Sequence, residues 1–155
     1  MIIVISGYNV LIDEDDYEKI KKHHWHCNSN KKKRASGYIY FCTKIDKKVI
    51  FLHRYIIGLR KEDKMFCDHK NGNTLDNRKC NLRPATRTQN AQNIKMKCYK
   101  KSGRLKGTAP WGNKWRADIK YYGNRKYLGL YNTEKEAHEA YCRAAMVFHG
   151  EFHRP

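Results

Sequence analysis

The sequence predicts an α+β fold of two small units joined by a basic segment, and three observations predict it. Strand-like runs and runs of helical period alternate along the chain. Two capping boxes, Thr86 with Gln89 and Thr133 with Glu136, each mark the start of a helix. Between them, residues 94–106 are rich in Lys and Arg and poor in apolar side chains, a composition that cannot pack a core. The expected organisation is a first unit over 1–93, a linker over 94–106 and a second unit over 107–155.

In the first unit, residues 8–12 are apolar and β-branched and suit a strand. Asp13 to Asp16 then place acid in the first turn of a helix running to about Lys22, the order that a helix dipole favours. Residues 28–36 read as a polar loop whose Lys31, Lys32, Lys33 and Arg34 could touch phosphates. Residues 37–43 and 48–52 form a hairpin through Ile45-Asp46-Lys47, and a short helix over about 52–57 ends near Gly58. Met65 to His69 is a short strand, a turn-rich loop follows, and Asn81 to Ala85 is a second extended piece. The helix starting at Thr86 carries Asn90 and Asn93 on adjacent faces.

In the second unit, three strand-like runs at about 107–111, 114–121 and 125–131 are separated by Trp111-Gly112-Asn113 and Tyr122-Gly123-Asn124. Ala137, Ala140, Tyr141, Ala144, Ala145 and Phe148 then recur at helical spacing. The prediction is a three-stranded antiparallel sheet packed on one amphipathic helix. Trp115, Tyr127, Tyr131 and Phe152 are expected to fill a core that is small for an independent fold.

Charge narrows the function. The chain of 155 residues carries 33 Lys plus Arg against 15 Asp plus Glu, a formal net charge of +18. Residues 1–94 hold 19 basic and 10 acidic side chains and residues 95–155 hold 14 and 5, so both units are expected to face a polyanion. Nucleic acid is the first candidate. No apolar run approaches the ~20 residues of a spanning helix. Met1 to Ile5 is too short for a signal peptide, so a cytoplasmic location and no membrane partner are expected.

The six cysteines lack any C-x-x-C pairing, so no structural zinc is expected and they read as small, buried, reduced residues. The run His23-His24-Trp25-His26-Cys27 has ligand-type residues, but neighbours on a strand point to opposite faces. Trp25 reads as a core anchor.

The segment from Leu52 to Asn93 carries the chemistry. Phosphodiester cleavage needs a base to activate water, a cation to neutralise charge on the phosphate, and a group to orient the base. His69 has an imidazole that titrates near neutrality. Asp68 and the amide carbonyl of Asn90 offer hard oxygens to Mg²⁺. Asn81 can hold the imidazole or the loop. A strand–loop–strand–helix would gather all four around one cleft.

The run Asp68-His69-Lys-Asn71-Gly72-Asn73-Thr-Leu-Asp76-Asn77-Arg78, continued by Asn81-Leu82-Arg83-Pro-Ala-Thr86 and Asn90, resembles the HNH nuclease motif. It is most similar to the phage and intron homing endonuclease branch, which Leu52-His53-Arg54 also matches. The resemblance implies a ββα-metal fold hydrolysing DNA with a single ion. It assigns His69 as general base, Asn81 as its orienting residue, and Asp68 and Asn90 as metal ligands. Asn90 stands where the literal motif has a second histidine. With only oxygen ligands, Mg²⁺ or Mn²⁺ is favoured over zinc. His53, Arg54, Arg83 and Arg87 are candidates for phosphate contact.

Residues 107–152 resemble the Apetala/ethylene-response-factor DNA-binding domain, through Gly107, Trp115, Ala117, Ile119, Leu128-Gly129, Tyr131, Thr133, Glu136-Ala137, Ala140-Tyr141, Ala144-Ala145 and Gly150. That family lays its sheet in the major groove. The resemblance implies DNA contacts from Lys106, Trp111, Lys114, Arg116, Lys120, Arg125 and Lys126. Taken together, the expectation is a double-stranded DNA endonuclease, monomeric on an asymmetric site, that nicks one strand or cuts both. The competing expectation is a catalytically inactive DNA-binding regulator.

Overall fold

The computed structural model describes residues 1–28, 38–93 and 103–153. Lys31 to Arg34, linker residues 94–102 and Cys98 lie outside the described residues. The described chain is α+β, with small antiparallel sheets and four helices. It divides into two compact units, Met1–Asn90 and Ala91–Pro155. No helix among the described residues is long and apolar enough to cross a membrane.

The first unit opens with a hairpin of β1 (Ile2–Ile5) and β2 (Tyr8–Leu11). The sequence reading assigns no element to residues 1–5. They pair as a strand because Ser6 and Gly7 both take positive φ, 51° and 81°, the two-residue turn whose twist matches that of the strands. The helix α1 (Glu14–Ile20) carries Glu14, Asp15 and Asp16 in its first turn, as its sequence predicts. Then β3 (His26–Cys27), β4 (Phe41–Ile45) and β5 (Lys48–Phe51) form a sheet in that order. Strand β5 runs directly into helix α2 (Leu52–Ile56). Val10, Ile12, Ile20, Trp25, Phe41, Leu52, Ile56 and Leu82 make the core. Trp25 is the anchor expected of it, and its indole N–H donates to the Ile20 carbonyl at 2.9 Å.

Strands β6 (Phe66–His69) and β7 (Leu82–Ala85) pair antiparallel, with Asp68 opposite Arg83 and His69 opposite Leu82. Helix α3 (Arg87–Gln92) follows. Its capping box forms: the Thr86 N–H donates to Gln89 Oε1 at 2.8 Å, and the Gln89 N–H to Thr86 Oγ1 at 3.2 Å. The loop between β6 and β7 is docked on β2. The Leu11 N–H donates to the Leu75 carbonyl at 2.9 Å, and the Asn77 N–H to the Leu11 carbonyl at 2.8 Å. Lys79 reaches the buried Asp16 at 2.9 Å.

In the second unit β8 (Thr108–Trp111), β9 (Lys114–Tyr121) and β10 (Asn124–Tyr131) form an antiparallel sheet in the order β10-β9-β8. Helix α4 (Glu134–His149) starts at the Thr133–Glu136 capping box. Its Ala137 and Ala140 cluster with Ala117, Trp115, Leu128 and Tyr131, while Tyr141 and Ala145 cluster with Ile119. Phe152 is buried as expected. Leu105 and Lys106, expected in the linker, are tied into this unit instead. The Leu105 N–H donates to Glu134 Oε1 at 2.6 Å, and the Lys106 carbonyl pairs with His138 Nδ1 at 2.8 Å.

Three expectations are corrected here. Tyr127 does not fill the core. Strand alternation puts it beside Arg125 and Leu130, away from α4, and it is 56% exposed. Lys126 falls on the helix side of the same strand, its ammonium 4.6 Å over the Phe148 ring, so it does not share the outer face with Arg125. Cys80 is exposed, whereas Cys27, Cys67 and Cys142 are half-buried and Cys42 is buried.

Candidate active site and nucleic-acid interface

The β6–β7 register decides what meets Asp68. Its cross-strand partner is Arg83, whose Nε and Nη2 both lie 2.8 Å from Asp68 Oδ2. Both side chains are buried, so this is a charge pair shielded from water. Arg83, expected at a phosphate, is spent on the carboxylate.

The next residue turns the other way. The His69 ring lies among Tyr40, at 6.4 Å between ring centres, and His53, at 5.4 Å. Tyr40 and Phe51 in turn flank His53, at 5.4 and 5.7 Å. His69 Nε2 is 3.3 Å from Asn77 Oδ1. The Asn77 amide N–H donates to the Thr74 carbonyl at 3.2 Å, which fixes Oδ1 as the atom facing the ring. A neutral His69 therefore carries its proton on Nε2 and its basic lone pair on Nδ1. Burial pushes the His69 pKa down, against the Asn77 hydrogen bond and the charges of Asp68 and Asp76, which pull it up. Burial, then the charges of His69 and Arg54, take His53 down to about 3. Both imidazoles are neutral at pH 7.

Asn81 acts on the loop rather than on the ring. Its Oδ1 accepts the Asn71 N–H at 2.9 Å, and its amide N–H donates to the Asp76 carbonyl at 2.7 Å. It thus fixes the backbone beside Asn77. Asp76 is held by Arg78 through two bonds of 2.8 Å and by the Asn71 amide at 3.0 Å. Asn73 accepts the Leu75 N–H, so these loop amides and acids fix the turn as the sequence suggests. What the sequence reading missed is the contact of Asn77 with the imidazole and the place of Tyr40 beside it. Spacing alone does not say which loop amide reaches the ring.

Asn90 sits half-buried on α3, one helix beyond β7, and its side-chain amide takes no hydrogen bond among the described residues. Asp68 carries a carboxylate and Asn90 an amide oxygen, the donor type that Mg²⁺ or Mn²⁺ takes. Arg54 donates to the carbonyls of Met65 and Arg60, tying α2 to the segment before β6. Arg87 is exposed at the start of α3. In the histidine-rich run, His23 meets Tyr55 at 3.1 Å and His26 meets Cys42 at 3.3 Å. Burial drives the Cys67 thiol up to about 12, so it is not a thiolate.

On the second unit, pairing and alternation place Trp111, Lys114, Arg116, Lys120 and Arg125 on the sheet face opposite α4. Lys106 lies off this face, its ammonium donating to the Gln92 carbonyl at 3.1 Å. A shallow groove of about 500 Å³ runs between Trp111, Tyr127 and Leu130, bordered by Arg116, Asp118 and Arg125. No protein-family model, no curated protein and no solved structure matches the chain.

Proposed function

We propose that the protein is a metal-dependent DNA endonuclease of the HNH homing type, with a ββα-metal core formed by β6, β7 and α3. One observation carries this reading: a buried, neutral imidazole, His69, has its tautomer set by Asn77 and stands next to a buried carboxylate. The pattern is that of a general base, uncharged at neutral pH with its lone pair on a defined nitrogen. His69 Nδ1 takes a proton from the water that attacks phosphorus. Asn77 holds the ring, and Asn81 holds the loop that carries Asn77. Arg83 holds the Asp68 carboxylate in place. Asp68 and Asn90 would hold the divalent cation, Mg²⁺ or Mn²⁺, which when bound neutralises the charge growing on the phosphate and leaving oxygen. The partner is double-stranded DNA, gripped by the outer sheet face of the second unit. One such site among the described residues suits a monomer on an asymmetric target.

The competing reading, a DNA-binding regulator without cleavage, draws support from the Asp68–Arg83 pair, because a carboxylate engaged by a guanidinium is less available to a cation. A supercoiled plasmid separates the two. The endonuclease converts it to open-circular or linear form with Mg²⁺ and not with EDTA, and His69→Ala abolishes the conversion while plasmid binding persists. Binding without any Mg²⁺-dependent strand break would overturn the endonuclease reading.

A further inference from the structure

We infer that Tyr40 is the general acid of the cleavage, giving its phenolic proton to the leaving 3′-oxygen, an inference that rests on the endonuclease reading above. Hydrolysis of a phosphodiester moves protons at two places. A base takes one from the attacking water, and an acid supplies one to the oxygen that departs. In an in-line displacement these two oxygens stand on opposite sides of phosphorus, so one imidazole does not serve both. His69 accounts for the first transfer only.

The side chains around His69 narrow the choice of acid. His53 packs against it at 5.4 Å but is neutral, since burial takes its imidazole down to about 3. The Cys67 thiol is turned to the His53 carbonyl at 3.6 Å, and burial pushes it up to about 12. Arg83 is engaged by Asp68, and Arg54 by the carbonyls of Met65 and Arg60. Of the two rings that flank His69, Tyr40 carries the hydroxyl.

Tyr40 is also held for this part. Its ring lies 6.4 Å from the His69 ring at an angle of 52°, so the two form adjoining walls rather than a stack. His53 at 5.4 Å and Phe51 at 6.4 Å support it from behind, and its carbonyl accepts the Asn28 N–H at 2.9 Å. The next residue, Phe41, is buried in the core, whereas Tyr40 is only half-buried and stays within reach of a substrate. Burial raises the Tyr40 pKa, so the hydroxyl keeps its proton at neutral pH. A ring serving only as a wall needs no hydroxyl, and Phe51 lines the other side of His53 without one.

The step balances. His69 Nδ1 takes a proton from water, and the water oxygen bonds to phosphorus. The P–O3′ bond breaks with its electron pair on O3′, and Tyr40 protonates that oxygen. The products are a 5′-phosphate and a 3′-hydroxyl. Solvent then carries a proton from the imidazolium to the phenolate, which restores both groups.

The test uses the full chain with Mn²⁺ and two duplexes spanning the bond that the wild type nicks in a supercoiled plasmid. One duplex has the ordinary 3′-oxygen at that bond, and the other a bridging 3′-sulfur. A thiolate departs without a proton, because a thiol is far more acidic than an alcohol. Tyr40→Phe, at matched melting temperature, should cleave the oxygen duplex roughly 10²–10⁴-fold more slowly than wild type and the sulfur duplex at the wild-type rate. Tyr40→Leu, which removes the ring as well, should show the same selective rescue. His69→Ala should be slow on both duplexes, since the water still needs a base. Equal slowing of Tyr40→Phe on both duplexes, or no slowing on the oxygen duplex, overturns the inference and leaves the endonuclease reading standing. A wild type that nicks no plasmid overturns that reading, and this inference with it.

Discussion

Nε2 of His69 lies 3.3 Å from Oδ1 of Asn77, and both side chains are buried. The chain brings these residues together through the loop between β6 and β7, which Asn81 staples at Asn71 and Asp76. The hold on the imidazole thus passes from Asn81 through backbone to Asn77, and from Asn77 to the ring.

Asn77 is the sharper target for that relay. Asn77→Ala removes the acceptor for the imidazole N–H and the donor to the Thr74 carbonyl. The unpaired groups should cost about 1–3 kcal/mol of stability. In plasmid nicking the variant should lose kcat with little change in KM, because the ring no longer has a fixed tautomer. His69→Ala should lose roughly 10²–10⁴-fold. Equal kcat for Asn77→Ala and wild type would remove Asn77 from the relay.

Arg83 and Asp68 make a second, independent prediction. Removing one partner strands the other as a buried charge, which costs about 3–5 kcal/mol. Arg83→Met should lower the urea midpoint accordingly. The double variant Asp68→Leu with Arg83→Met should recover most of the loss and stay inactive. A double variant no more stable than Arg83→Met would show that the pair is not what holds β6 against β7.

His53 ties stability to pH. In the unfolded chain its imidazole takes a proton near 6.5, whereas in the fold it does so only near 3. Between these values the unfolded state binds more protons, so stability falls as pH falls from about 6.5 towards 3. The loss is about 2 kcal/mol by pH 5 and approaches about 5 kcal/mol at the bottom of the window. Burial shifts His69 in the same direction and adds to the slope. Melting curves of wild type and His53→Gln at pH 7.5 and pH 5 measure it, and the variant should be the less sensitive. Parallel losses in both proteins would place the acid sensitivity elsewhere.

Gly107 tests the second unit alone. Its φ is +80°, and a Cβ there would lie 2.0 Å from the Tyr141 ring. Gly107→Ala combines a left-handed backbone with overpacking and should cost about 2–4 kcal/mol. Circular dichroism melts read the loss directly. An unchanged melt would mean that β8 does not sit against α4 at this point.

Much of the fold is legible in the sequence for local reasons. Thr86–Gln89 and Thr133–Glu136 signal their helices because a cap needs only neighbours in the chain. The three strands of the second unit lie within a residue or two of their expected places, because alternation and the glycine-containing turns at 112 and 123 are local as well. Strand β1 is not legible. Residues 2–5 become a strand only by pairing with β2 across a turn that uses a non-glycine residue, Ser6, at positive φ. Tyr127 and Lys126 exchange their expected roles for the same kind of reason. Their faces depend on the register with β9 and on the irregularity between Tyr127 and Gly129.

By itself the sequence determined the residue types available for chemistry and their order: Asp68, His69, Asn81 and Asn90 along a strand–loop–strand–helix, within a strongly cationic chain. Only the tertiary structure decided who touches whom. It paired Asp68 with Arg83, gave the His69 imidazole to Asn77, Tyr40 and His53, and set Asn81 to hold the loop. Hydrogen bonds and charge pairs act over a few ångströms, and sequence spacing does not measure that distance once a chain turns back on itself.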